Sequence, residues 1–274
     1  MVPLLVPMEG DAHGWPPGVH SFDSRPLFPG LGEEWAWLNN HLIQAIIGAA
    51  LVIGFWLWMA KGQQVVPGRK QFLGESLYNL LRNSIARDIL GHDFRKFLPY
   101  LVALFSFILV NNLFGQLFLF MFPTFSKIGY AYGLAILSYI VYNAAGIAKY
   151  GFGSYLRRMT LPEGVPVALW PLIIPLEFLS NFIVRPVTLA MRLFGNLFAG
   201  HLVIMVFVVG GSMLLTMTEP TAGFGVPLLN AAGVVSLLFS LAIFALEILV
   251  AVLQAYIFTV LTAQYISSAI AEEH

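Results

Sequence analysis

No cysteine occurs among the 274 residues, which excludes disulfides and thiolate metal sites. Charge is scarce as well. Asp, Glu, Lys and Arg make up 10% of the chain, where a soluble domain carries about 25%. With 58% hydrophobic residues, water alone would not keep such a chain dispersed, and lipid is the expected solvent for much of its surface. Net charge is zero, so no basic surplus points to nucleic acid. The opening MVPLLVPMEGDAHGW has neither a basic stretch nor a long apolar core, so no cleavable signal peptide is expected. Glycine and proline are missing from Val234 to His274, and nothing in that stretch marks a turn.

What is present is a series of long apolar runs. Residues 1–40, rich in Pro, Gly, Asp and His at their start, read as an extended arm. Residues 41–274 read as a single membrane domain. Spans are predicted at about 41–60, 97–122, 130–148, 165–209 and 227–270, each long enough for about 30 Å of hydrocarbon. Between the first two, Phe72, Leu77, Leu80, Leu81 and Ile85 recur at helical spacing among Glu75, Arg82, Arg87 and Asp88. That pattern suits an amphipathic helix over about 71–92, lying on the membrane surface or packed as a short water-facing helix. The expected fold is an all-α integral membrane protein of five membrane-embedded helices plus this surface helix.

Basic residues set the orientation. Lys61, Arg69, Lys70, Arg82, Arg87, Arg95 and Lys96 lie between the first two spans, and Lys149, Arg157 and Arg158 follow the third. The arm has only Arg25, the 123–129 loop only Lys127, and the Gly-rich break 210–227 none. The positive-inside rule then puts the N-terminus outside and the C-terminus in the cytoplasm.

A helix over 234–270 would be about 55 Å long at 1.5 Å per residue, nearly twice the hydrocarbon thickness of about 30 Å. A steep tilt is the expectation. A charge deep in lipid costs at least about 2.5–3.5 kcal/mol, yet Arg192, His201 and Glu247 sit inside apolar sequence. Each has a purely structural explanation: Arg can snorkel, His can be a satisfied core residue, and Glu can pair with Arg for packing. Spacing favours function. Arg185, Thr188, Arg192 and Asn196 share one helix face, and Ser236, Ser240, Glu247 and Gln254 line one stripe of the last helix. On antiparallel helices His201 meets Glu247 at one depth, with Arg192 and Gln254 at another. His and Glu both exchange protons once tuned, so the pair suits a relay. Arg192 keeps its proton and serves as a fixed charge. On a straight helix His201 lies about 180° around from Arg192, so the two face different partners.

The run RPVTLAMRLFGNLFAGH (185–201) resembles the signature of the a subunit of rotary F-type ATP synthases, approximately RPxSLxxRLFxNxxAGx. EILVAVLQAYIFTVLT (247–262) is similar to the family's LQAxIFxxLT, and KFLPYLVALFSFILVNNLFG (96–115) to a further block. The resemblance implies that Arg192 is the essential charge facing a rotating c-ring. It implies that Asn196 and Gln254 are polar neighbours of that charge and that Thr188 fills a small hydroxyl position. Positions 201 and 247 carry a His/Glu pair whose order varies, and Glu177 resembles a carboxylate near the inner exit. Two offset half-channels would carry protons past Glu247, His201 and Ser240. The implied partners are c-ring subunits, peripheral-stalk b subunits, the remainder of the ATP synthase and membrane lipid. No cofactor, metal or catalytic site is assigned to this chain. The implied setting is an energy-transducing membrane, the bacterial plasma or inner membrane.

Two other classes fit less well. A secondary transporter would show internal repeats and broken helices around a midplane site. An intramembrane enzyme would carry a motif such as HExxH or GxSxG, and GFGSY (151–155) is neither.

Overall fold

Lipid offers the backbone no hydrogen-bonding partner, so an apolar chain crossing it must close its own bonds as helix. In the computed structural model, residues 18, 39–61, 64–66, 68–116, 124–161, 166, 169–217 and 225–271 are described. Almost all of the arm lies outside them. The protein is an all-α membrane protein: five helical runs among the described residues are long and apolar enough to cross a bilayer. They are Asn40–Ala60, Arg69–Phe114, Ile128–Tyr150, Trp170–Thr216 and Val226–Ile270.

Helix α1 (Asn40–Ala60) is capped by the Asn39 side chain, which accepts from the Leu42 amide. The second run is composite. Helix α2 (Arg69–Leu81) passes through a π turn (Arg82–Arg87) into the single turn α3 (Asp88–Leu90). Gly91 then takes a φ of 56°, open to a residue without Cβ, and a 3-10 turn (Gly91–Asp93) leads into α4 (Phe94–Phe114). The predicted span 97–122 is therefore displaced. It begins three residues earlier and stops at Phe114, with Gly115 as its C-cap. The apolar stretch LFLFMF (117–122) made the span look longer, and it lies outside the described residues.

After α5 (Ile128–Tyr150), Gly151 turns the chain at a φ of 77°. The 149–164 stretch, expected as a loop, contains α6 (Phe152–Thr160). Its Tyr155 ring packs where a Cβ on Gly146 would sit. The predicted start of the fourth span near 165 falls partly outside the described residues. Helix α7 (Trp170–Phe178) continues as a π turn (Leu179–Val184) into α8 (Arg185–Thr216). Pro186 explains the π turn. It has no N–H for a carbonyl one α-turn back and its ring crowds that carbonyl, and the Arg185 amide instead reaches back to Ser180 O. Helix α8 also runs past the predicted end at 209, through Gly210 and Gly211.

Helix α9 (Val226–Ile270) is unbroken over 45 residues, a length of about 68 Å. Its Leu238, Leu241 and Leu249 are nearly two-thirds uncovered. A helix apolar on all sides presents such residues to lipid rather than water.

Among the described residues the chain forms two compact units, one within Ser24–Phe198 with Ile248–His274 and the other within Ala199–Glu247. In the first, Leu81, Ile85, Leu101, Leu189, Leu193, Leu197, Phe258 and Ile266 form the core of fully covered side chains. Trp56 of α1 donates to Ser106 of α4 at 3.1 Å. In the second, α8 and α9 form an antiparallel pair. Gly211 and Gly233 face each other so closely that a Cβ on either would lie about 3 Å from the other's carbonyl oxygen. Lipid supplies no hydrophobic force between helices, so such close backbone approach is what holds them. Ser236 Oγ adds a bond to Phe207 O at 2.8 Å.

Candidate functional site

In the smaller unit the antiparallel register of α8 and α9 sets His201 opposite Glu247. His201 Nδ1 lies 2.6 Å from Glu247 Oε1, and both side chains are more than nine-tenths covered. At that distance the two form an ion pair when the imidazole is protonated. Glu247 Oε2 is buried and has no hydrogen-bond partner among the described residues. An unpaired buried carboxylate oxygen costs free energy unless the carboxyl is protonated or hydrated.

Gly200 makes this geometry possible. A Cβ there would strike Glu247 Oε1. Gly195, on the same helix, faces open space instead. Ser240, on the same stripe of α9, is buried and donates to Leu237 O within its own helix at 2.7 Å.

In the larger unit the first turns of α8 have two faces. Leu189, Ala190, Leu193 and Leu197 are buried in the core. Thr188 and Arg192, one turn apart, are exposed on the outward side. Thr188 Oγ1 donates to Val184 O at 2.8 Å and stays within the helix. The Arg192 guanidinium forms no hydrogen bond and no ion pair among the described residues. Asn196, half-buried, donates from Nδ2 to Gln254 Oε1 of α9 at 3.4 Å. Sequence reasoning set Gln254 level with Arg192. The structure pairs it with Asn196, one turn further along α8. Arg185 lies over the Tyr265 ring at 5.1 Å.

Glu177 joins a network that the sequence did not reveal. Asn181, in the π turn, donates from Nδ2 both to Glu177 Oε2 at 3.1 Å and to Met159 O at 2.7 Å. Tyr142 OH reaches Asn181 O at 3.4 Å, and Tyr155 OH donates to Asn143 Oδ1 at 2.9 Å. Burial pushes the Tyr155 phenol up to about 12, with Arg185 opposing and Tyr139 adding to the shift. It stays a donor at physiological pH.

A second polar group lies between α1 and α4. His41, Gln44, Asn111, Asn112 and Gln116 are all buried. Asn112 Nδ2 donates to Ala251 O at 3.2 Å, and Asn111 Oδ1 accepts from Thr124 at 2.8 Å. Among the described residues, both amide atoms of Gln116, Gln44 Nε2 and His41 Nδ1 have no hydrogen-bond partner. The signal for His41 and Gln44 was available, since with Gly48 they share one face of α1 at three- and four-residue steps. Among the described residues no set of three His, Asp or Glu side chains is gathered as metal ligands.

Five apolar helices, a buried imidazole–carboxyl pair and an outward-facing guanidinium within an apolar helix define a multi-pass membrane protein organised around intramembrane charge. The ATP synthase A chain family model matches residues 42–267. Proteins named ATP synthase subunit a share 45% identity in Nocardioides sp., over 97% of this chain and 96% of that one. The Pseudarthrobacter chlorophenolicus protein shares 40% over the full length of both. The Parvibaculum lavamentivorans protein shares 35% over 93% of this chain and 94% of its own. The chain belongs to the ATP synthase A chain family.

Proposed function

We propose that this chain is the proton-translocating stator subunit of a rotary ATP synthase. The observation that carries the proposal is Arg192. A guanidinium is always charged and costly in lipid. Here it points away from its own core with no partner among the described residues. A carboxylate presented by another subunit satisfies both facts. The c-ring is that partner, and peripheral-stalk b subunits hold this chain still against it.

A proton enters from outside, reaches Glu247 and His201, and passes to a ring carboxylate. The neutral carboxyl then turns through lipid, where an ionised one would be costly. Near Arg192 the positive charge favours the ionised form, and the proton leaves through an inner half-channel past Glu177. Arg192, which does not release its proton, separates the two half-channels. Asn196 and Gln254 hold the neighbouring helix seam, Thr188 keeps the ring-facing surface small, and Ser240 lines the outer path. ATP chemistry takes place elsewhere in the complex, and this chain contributes no catalytic site.

Residues 41–274 act as one membrane domain in a bacterial plasma membrane, with the 1–40 arm outside and the C-terminus in the cytoplasm. At about 68 Å, α9 exceeds the hydrocarbon thickness of about 30 Å and lies steeply tilted along the ring. Because the chain has no cysteine, Thr188→Cys places one thiol on the Arg192 face. In the assembled complex it should form a disulfide with a cysteine set beside the ring carboxylate, and Gly54→Cys on α1 should not. The reverse pattern would remove Arg192 from the ring interface.

A further inference from the structure

The end of α1 and the start of α2 enclose a cavity of about 570 Å³, lined by Trp58, Lys61, Gln64, Arg69, Lys70 and Gln71 among others. Three of these side chains are cationic, and none of the lining side chains among the described residues is acidic. Lys70 Nζ sits 4.8 Å from the centroid of the Trp58 ring, a cation–π contact that holds the ammonium at the cavity wall. The wall is braced by Gln71, whose Oε1 accepts from the Gln64 amide and whose Nε2 donates to Gln64 O, each at 3.0 Å. The nearby carboxylate, Glu75, accepts a bond from Gln71 Nε2 at 2.6 Å.

The backbone adds to the positive field. Helix α2 starts at Arg69 behind Gly68, with no side-chain cap and no acidic residue in its first turn. Its first amides are open donors at the positive end of the helix dipole. Beside these cations the structure exposes apolar side chains: Val65 completely, Val66 by 79%, Phe72 and Leu73 by more than 60%. A free anion would use only the charges. An amphiphile uses both surfaces.

We propose that this cavity binds the headgroup of an anionic phospholipid, with the acyl chains running along Val65, Val66, Phe72 and Leu73. The phosphate takes the ammonium groups of Lys61 and Lys70 and the Arg69 guanidinium. Trp58 marks the headgroup level, as aromatic residues do at the membrane–water boundary. The site is independent of Arg192 and of the His201–Glu247 pair. It anchors the surface helix to the leaflet in which basic residues are concentrated.

The test is native mass spectrometry of the purified full-length chain, titrated separately with phosphatidylglycerol and phosphatidylcholine. Inorganic phosphate serves as a competitor. Phosphatidylglycerol should be retained in preference to phosphatidylcholine and should resist displacement by phosphate. Each of Lys61→Gln, Arg69→Gln and Lys70→Gln should weaken phosphatidylglycerol retention about fivefold, from about 1 kcal/mol per cation near a membrane surface. Lys70→Arg, which keeps the charge, should stay within about twofold of the parent. Equal retention of the two lipids by the unaltered chain would overturn the proposal without any variant. Displacement by inorganic phosphate would show a soluble-anion site instead, and unchanged affinity in all three Gln variants would place the lipid elsewhere.

Discussion

His201 Nδ1 lies 2.6 Å from Glu247 Oε1 across two antiparallel helices, with Gly200 leaving the space for the carboxyl. The two side chains are in direct contact, so their contributions to proton conduction should not add. His201→Ala and Glu247→Ala are each expected to lower conduction more than assembly. The exchange His201→Glu with Glu247→His should recover part of the activity, since it retains one acid and one imidazole. Residues in one network couple by about 0.5–3 kcal/mol in a double-mutant cycle. Additive single effects, measured as proton flux into membrane vesicles, would separate the pair.

Gly200→Ala should reproduce the functional loss of Glu247→Ala although it changes no titratable group. Its Cβ would collide with Glu247 Oε1, and forcing extra volume into a packed contact costs about 1–3 kcal/mol. Gly54→Ala is the control, because a Cβ there meets nothing within 4 Å. Proton flux in the two variants should differ clearly. Equal flux would mean that the carboxyl does not need its present position.

Asn181→Ala should destabilise the fold by about 1–3 kcal/mol, because a buried polar network then loses its shared donor. Asn181 Nδ2 bridges Met159 O and Glu177 Oε2, and without it the Met159 carbonyl loses that donor. Thermal unfolding of the chain in detergent measures the effect. A melting curve that matches the parent would show the bridge to be incidental.

Lys149, Tyr150 and Arg158 converge on the end of α9. Lys149 Nζ and Tyr150 OH donate to Ile270 O at 2.9 and 3.0 Å, and Arg158 Nη2 donates to Ala271 O at 3.0 Å. Cations at a helix C-terminus contribute about 0.3–1 kcal/mol each. Lys149→Met with Arg158→Gln should therefore speed amide exchange in the last turn of α9 by up to about 30-fold, leaving the middle of the helix unchanged. Unaltered exchange in that turn would rule out the clamp.

Much of this was legible from residue type and spacing. Charge inside apolar sequence marked Arg192, His201 and Glu247, because lipid makes such residues expensive without a use. The seven-residue stripe of α9 marked its α8-facing seam: Ser236 and Glu247 contact α8 in one unit and Gln254 contacts it in the other. Glycine was ambiguous. Gly210 and Gly211 looked like a break, yet Gly211 is a packing residue whose small size lets the Gly233 backbone approach. Hydropathy could not locate the end of α4 at Phe114, since the residues after Gly115 are as apolar as those before. The π turn at Leu179–Val184 and the Asn181 bridge depend on where the Met159 carbonyl falls in space. Local pattern does not carry that information.

Arg192 carries the central claim, and Arg192→Ala in the assembled complex tests it most directly. The measurement is ATP-driven proton pumping into inverted membrane vesicles, with subunit content checked in parallel. The expected result is a fully assembled complex that pumps no protons. Arg192→Lys should fall well short of full recovery, since an ammonium lacks the planar fork of donors. Normal pumping by assembled Arg192→Ala complexes would contradict the account.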